Sequence, residues 1–275
     1  SPTLTQFAKL DMNAGTVTLQ FNEPVALDSF SALNVTMLSS RSVSAAAYPL
    51  TGASSVAYTD ATKRSVIFTF TQTDFGNLRL LHIGITQSAS FISIASGLVV
   101  DKAGNWVTPV SSGAALQAVT FVPNTTPPSL RSFSLDMDQA HLVMTFSDVV
   151  LASTLSPTHI TFQNSRSRQS SSLTFYQLTG GSTTSSDGFV IDMQLIHTDM
   201  NELKKRAFLA TSSLDTYIAM DAESISSVDG TPMLSVTSLA ALQASGYIPD
   251  THSPAIVSYS VNMKTQLFSF PFSET

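Results

Sequence analysis

The chain has 275 residues, of which 43% are hydrophobic and only 12% charged, with a net charge of −6 and no cysteine. That length accommodates about two domains with cores of their own. The lack of cysteine excludes disulfides and thiolate metal sites while leaving the redox compartment open, and a negative balance with one short basic run, Lys204 to Arg206, excludes nucleic acid as a partner. Ser and Thr take the surface share that Lys and Glu hold in a typical chain with about 25% charged residues, which favours an extracellular β protein. Neither a run of about 18 apolar residues nor a leader pattern at Ser1 occurs, so no membrane span is expected. An opening in mid-motif is what a segment of a longer protein would show.

The first predicted element is a hairpin, "SPTLTQFAKLDMNAGTVTLQFNEP". Its second strand alternates, with Val17, Leu19 and Phe21 on one face and Thr18 and Gln20 on the other, and "MNAG" supplies the turn. Further along, "TDFGNL" at Thr73 reads equally as a helical turn or a polar loop, because it carries a Gly. "SFIS" at Ser90 and "AALQA" at Ala114 are segments that return later in the chain, "KAGN" at Lys102 is a turn, and "FVPNTTPP" from Phe121 is a Pro-flanked linker.

The same series then begins again. Pro2, Pro128 and Pro254 are spaced by 126, as are Phe7, Phe133 and Tyr259, and Leu4, Leu130 and Ile256. Phe21, Phe146 and Phe272 match in the second strand, where the first interval shortens to 125, which places a single indel near Lys9. "TDMNEL" at Thr198, "TYIA" at Thr216, "AALQA" at Ala240 and "YIPDTHSP" from Tyr247 answer their counterparts in the first copy. In "DMNELKKRA" one or two helical turns are expected, with Asp199 as N-cap and Glu202 completing a capping box. The predicted domains are therefore 1–126, 127–252 and a third opening at 253–275, and short alternating strands between turns predict an all-β fold of tandem antiparallel β-sandwiches with one short helix per repeat.

"FNEPV", "TDFGNL" and "VVDKAGNWV", with "SLDMD", "TFSD" and "DMNELK" in the second copy, resemble the tandem bacterial-type Ig-like repeats of surface-layer and adhesin proteins. Arrays of this kind also occur in long secreted proteins of protists and simple animals, including candidates for surface fibres such as mastigonemes. The resemblance implies an Ig-like sandwich array with a structural or adhesive role at the cell surface or in a surface appendage, and no catalytic residues. Where the first copy has Asp101 and Asn105 in a turn, the second has "SVDGT" from Ser227, which keeps only Gly230.

Five histidines, His82, His141, His159, His197 and His252, are scattered, and the copies do not share them. No nucleophile elbow, zinc-protease helix or phosphate loop occurs, so no enzyme is expected and no cofactor. Asp11 with Asn13 and Asp136 with Asp138 offer oxygen ligands of the kind Ca²⁺ uses, but a polar hairpin turn is the preferred reading, since six or more oxygens are needed. Asn34 and Asn124 head N-glycosylation sequons, the second in a linker expected to be exposed. Trp106 is the one Trp and faces Pro232 in the repeat alignment, which makes it the candidate for an alternative role in an adhesin stalk or carbohydrate-binding module.

Residues 253–275 are too short for a domain, and Phe268, Phe270 and Phe272 fall on one face of a strand. With Ile256 and Tyr259 they form a candidate assembly interface. It would be covered either by the rest of a third repeat in the same chain or by the next subunit in a head-to-tail filament of copies.

Overall fold

The computed structural model describes residues 1–168 and 173–273. It divides into two compact units, Ser1–Thr126 and Pro127–Thr275. Each is taken by itself.

In the first unit the strands are β1 (Leu4–Asp11), β2 (Thr16–Phe21), β3 (Val25–Ala26), β4 (Val35–Leu38), β5 (Ala47–Pro49), β6 (Ser55–Tyr58), β7 (Ser65–Thr69), β8 (Phe91–Ile94), β9 (Val100–Asp101) and β10 (Leu116–Val122). One helix, α1 (Gln72–Leu80), lies between β7 and β8. One wall of the sandwich runs β6-β7-β2-β1 and the other β5-β4-β8-β10. The strand β10 belongs to both: its first residues pair antiparallel with β8, and from Ala118 onward it pairs parallel with β1. With the two short strands β3 and β9 set aside, the walls group the first, second, sixth and fifth main strands against the third, fourth, seventh and eighth. That is the arrangement of an Ig-like sandwich.

The second unit repeats this plan with β11 (Leu130–Asp136), β12 (His141–Val150), β13 (Ile160–Gln163), β14 (Phe175–Gln177), β15 (Ser182–Thr183), β16 (Gly188–Gln194), α2 (His197–Lys205), β17 (Tyr217–Met220), β18 (Leu242–Gln243) and β19 (Gly246–Ile248). Its walls are β15-β16-β12-β11-β19 and β14-β13-β17-β18. Here the last strand is broken into β18, which pairs with β17, and β19, which pairs parallel with β11. At the break, Ala244 N–H donates to Thr216 C=O and Ser245 N–H to Phe133 C=O, so the chain changes walls without orphaning its backbone. A final hairpin follows, β20 (Ser260–Asn262) with β21 (Leu267–Ser269).

Alternation in the strands sets the cores. Val17, Leu19 and Phe21 face one interior, and Leu142, Met144 and Phe146 the other, all buried. Each core lies between the two walls of its own unit.

The indel has a local structural form. In both first hairpins the register slips once near the start, between Leu4 and Gln6 and between Leu130 and Ser132. Only the first copy slips again, from Phe7↔Leu19 to Lys9↔Thr18, leaving Ala8 as the extra residue of a β-bulge. The bulge allows Phe7 and Leu10, three apart, to face the core just as Phe133 and Leu135, two apart, do without one.

Both helices are present, including the one over the Gly-bearing "DFGNL". Thr71 caps α1, its side chain accepting from Asp74 N–H at 3.0 Å. The expected cap of α2 is corrected: its N-cap is Ile196, without a side-chain cap bond, and Asp199 lies a turn inside the helix, fully buried.

Deleting Ala8 should convert the first hairpin to the register of the second and leave a cooperative urea transition and native near-ultraviolet dichroism. Deleting Leu19 should abolish both, because a one-residue slip of β2 turns its core face outward.

Candidate assembly surface

The three hairpins pair the same repeat positions, the first with one extra residue at Ala8. Leu4 pairs with Phe21, Leu130 with Phe146, and Ile256 bridges to Phe272. Leu10 lies opposite Val17, Leu135 opposite Leu142, and Val261 opposite Phe268. Each turn is held by an Asx-type bond: Asp11 Oδ1 accepts Ala14 N–H, Asp136 Oδ1 accepts Asp138 and Gln139 N–H, and Asn262 Oδ1 accepts Lys264 and Thr265 N–H.

Their surroundings differ. Phe7 is 0% exposed and Phe133 1%, but Tyr259 at the same position is 71% exposed. Ile256, Phe268, Phe270 and Phe272 are exposed as well, with Tyr259 and Phe268 stacked at 6.3 Å and Phe268 against Phe270 at 4.8 Å. The third hairpin thus carries a row of aromatic side chains that the described residues leave exposed.

A second recurring device holds the end of each repeat to its own hairpin turn. Thr125 donates its N–H and hydroxyl to Asn13 Oδ1 at 3.2 and 3.0 Å, and Thr251 donates the same two groups to Asp138 Oδ1 at 2.9 and 2.6 Å. In the second unit the clamp is charged. Asp250 pairs with Lys204 Nζ of α2 at 2.7 Å, and His252 Nδ1 is 3.0 Å from Asp138. The hydrogen bonds from Thr251, first its hydroxyl and then its N–H, hold the Asp138 carboxyl down at about 2.

Asp138, Asp250 and His252 bring their ligand atoms within 4.8 Å of one another. Lys204 already neutralises Asp250, and the Thr251 donors already occupy Asp138, so the group is a closed ion-pair cluster and offers far fewer than six free oxygens. Asp11 is likewise engaged, by Lys9 Nζ at 2.9 Å and by its own turn.

The most saturated polar sites are two helix carboxylates, one of them, Asp199, expected from the sequence only as an N-cap. In α1 Asp74 accepts the Tyr48 and Thr51 hydroxyls and Thr51 N–H. In α2 Asp199 accepts the Tyr176 hydroxyl, the Thr179 hydroxyl and N–H, and Gly180 N–H. Both carboxylates are fully buried. Burial, and then the adjoining carboxylate, pushes the Tyr176 phenol up, so its proton stays in place to donate. The findable signal was the recurrence of "YPLT" at Tyr48 and "YQLT" at Tyr176 alongside the two "TD" pairs.

The other candidate residues lie apart. Asn34 is half-buried, and its Nδ2 donates to Gly97 C=O at 2.9 Å. The linker was expected to expose Asn124, but this residue is only 4% exposed; its Oδ1 accepts Thr126 N–H next to the Asn13 clamp. Asp101 is a turn former: it accepts Ala103 and Asn105 N–H and the Asn105 side-chain amide, which hold its carboxyl low. Ser227 Oγ performs the same office in the second copy, accepting Asp229 and Thr231 N–H. Trp106 is 53% exposed beside that turn. His141 pairs with Asp192 and His159 with Asp221, each at 2.7 Å, while His197 meets Asn201 at 3.0 Å. Among the described residues no two of the five histidines share a metal-ligating cluster.

No protein-family model matches the chain, nor does any curated protein sequence. Among solved structures it is similar to a chicken T-cell receptor at 11% identity, over 66% of this chain and 93% of that one, with a TM-score of 0.19. It is also similar to a marsupial T-cell receptor at 13% identity, over 95% of this chain and 76% of that one, with a TM-score of 0.20. Superpositions this loose say nothing of function, and the Ig-like fold stands on the strand order described above. Among the described residues no helix is long and apolar enough to cross a membrane.

Two measurements check these assignments. Asp199→Ala should destabilise the second unit by about 3 kcal/mol in chemical denaturation, because several buried donors lose their acceptor at once. Phe133→Ala should cost that unit about 3–5 kcal/mol, whereas Tyr259→Ala, at the same repeat position, should change it by less than about 0.5 kcal/mol.

Proposed function

We propose that the chain is a non-enzymatic structural component of an extracellular fibre or cell-surface appendage, built from Ig-like units joined head to tail. The observation that carries this is the recurrence of one hairpin, pairing the same repeat positions, at three places in the chain separated by 126 residues in the first strand and by 125 and then 126 in the second. The clamps support it. A structural array needs each unit to control the direction in which its chain leaves, and Asn13–Thr125 and Asp138–Thr251 tie that exit to the unit's own first turn. The resemblance to bacterial-type repeats of surface-layer and adhesin proteins points the same way, as does a surface rich in Ser and Thr. In this reading Ile256, Tyr259, Phe268, Phe270 and Phe272 form the assembly surface, the partners are other units of the same kind, and Ca²⁺ is not needed because Lys204 and Thr251 already engage the carboxylates of the clamp cluster. Asn34 is the glycan site of choice, since Asn124 is buried.

A second reading, an adhesin stalk or carbohydrate-binding module, is favoured by one observation, the half-exposed indole of Trp106 in a turn that lacks an aromatic in the other copy.

Electron microscopy of native material labelled with an antibody to the chain is the test. Label along extracellular fibres, at an axial interval equal to a whole number of Ig-like units, is the expected result. Label confined to dispersed or intracellular protein would sink the proposal. Loss of glycan binding on Trp106→Ala, with no fibre seen, would transfer support to the second reading.

A further inference from the structure

The end of the second unit carries a set of side chains that the first unit does without. Both units clamp the exiting chain to the turn of their own first hairpin, and the first does so with the uncharged Asn13, Thr125 and Thr126. Where the first copy has Asn13, Asn124 and Thr126, the second has Asp138, Asp250 and His252. Each change puts a metal-ligating residue type where an amide or a hydroxyl is enough to make the clamp. The three also meet at one place, since one ligand atom from each lies within 4.8 Å of the other two.

Their spacing suits a small tetrahedral ion. His252 Nδ1 is 3.0 Å from Asp138 Oδ1 and 3.7 Å from Asp250 Oδ1. At Zn²⁺ to nitrogen or oxygen distances of about 2.0–2.1 Å, neighbouring ligand atoms of a tetrahedron stand about 3.3–3.4 Å apart. The two observed separations bracket that edge.

The surrounding bonds orient the three groups without using up the atoms required. Lys204 Nζ pairs with Asp250 Oδ2 at 2.7 Å, which leaves Oδ1 turned to His252, whose backbone N–H it accepts at 3.1 Å. Thr251 donates its N–H and hydroxyl to Asp138 Oδ1 and so fixes that carboxylate beside the imidazole. Lys204 and Thr251 thus stand where the outer partners of ligating carboxylates stand in metal sites. Two carboxylates against one Lys also leave a net negative charge, which favours a cation. Beside the group lies a cavity of about 460 Å³, lined further by Gln194, His197 and Asn201, with room and polar partners for a water molecule.

We propose that Asp138, Asp250 and His252 form a Zn²⁺ site, with three protein ligands and one water, at the exit of the second unit. The ion takes the place of the proton between His252 Nδ1 and Asp138 Oδ1, and Nε2 keeps the remaining proton of the neutral ring. The bonds that leave this cluster too few oxygens for Ca²⁺ do not disqualify it for Zn²⁺, which needs only four ligands and accepts imidazole. Because Asp138 lies in the turn between β11 and β12 while Asp250 and His252 lie on the departing chain, the ion fastens the same two segments that Thr251 already joins. The site stands on these residues alone and does not rest on the array reading.

The test is calorimetric titration of Zn²⁺ into the untagged 275-residue chain at neutral pH. One ion per chain is expected, with a Kd on the order of micromolar or tighter, unchanged by excess Ca²⁺ or Mg²⁺. Co²⁺ in its place should give the visible absorption of a four-coordinate site. Two variants locate the ligands. Asp138→Asn with Asp250→Asn and His252→Thr installs the first unit's own clamp residues, and His252→Ala alters a side chain that is 65% exposed, so both should keep the native fold. Each should weaken Zn²⁺ binding by about 100-fold or more. In the unsubstituted chain Zn²⁺ should also slow hydrogen exchange at residues 250–253. The proposal is overturned if Zn²⁺ does not bind stoichiometrically, if either folded variant binds it within about twofold of the unsubstituted chain, or if Ca²⁺ displaces it at equal concentration.

Discussion

Each sandwich is closed by a single pairing, that of its last strand alongside its first. A two-wall sandwich has open edges where backbone groups seek partners, and the parallel contact of β10 with β1, or of β19 with β11, joins one wall to the other there. Because the first strand must be in place for this closure, the first hairpin is the piece on which everything else in the unit depends. Its two strands carry Leu4, Phe7, Leu10, Val17, Leu19 and Phe21 into one core, and the equivalent residues into the other. A hairpin so apolar is costly in water when alone. The contrast between its two buried copies and its exposed third is the central energetic feature of the molecule.

The buried carboxylates solve a different problem. A nine-residue helix between two strands is too short to be stable by itself and must be anchored. Asp74 and Asp199 anchor α1 and α2 to the Tyr-x-x-Thr segments that begin in the fourth main strand of each unit, β5 and β14, using hydroxyl and backbone donors in place of a cation. No Lys or Arg is needed, in keeping with a chain that has few charges to spend. Where charge does appear at the end of the second unit, in Lys204, Asp250 and Asp138, it reinforces a clamp that the first unit makes with the uncharged Asn13, Thr125 and Thr126.

Much of this was legible in the sequence because it is local or repetitive. The alternation of Val17, Leu19 and Phe21 announced a strand with one buried face, the recurring interval announced the copies, and its shortening by one placed an extra residue near Lys9, which the structure takes up as a bulge at Ala8. Long-range contacts were not legible. Asp199 resembles an N-cap because a residue suited to capping stands three before Glu202, but Thr179 and Tyr176, about twenty residues away, draw its side chain into the core. Asn124 resembles part of an exposed linker because Pro and Thr flank it, yet the turn at Asn13, on the far side of the repeat sequence, holds that linker down. The break between β18 and β19 falls at Ser245 and Gly246, where the first copy has Val119 and Thr120, so the shared "AALQA" hides a Ser-Gly pair that was its one local signal.

Copies of a hairpin within one chain also act as controls on one another. Had only the third been present, its aromatic face would have been compatible with a membrane surface, a peptide groove or a dimer. The other two narrow the choice, because they show the same register buried by a defined set of strands. They also show, by the size of Leu142 and Met144, that the sets at hand are cut for smaller side chains than Phe268 and Phe270. Position by position, the hairpin shares its pattern with its siblings and differs in the volumes that decide which strands it accepts. A hairpin moved to a set of strands cut for other volumes leaves either a void or a clash in the core.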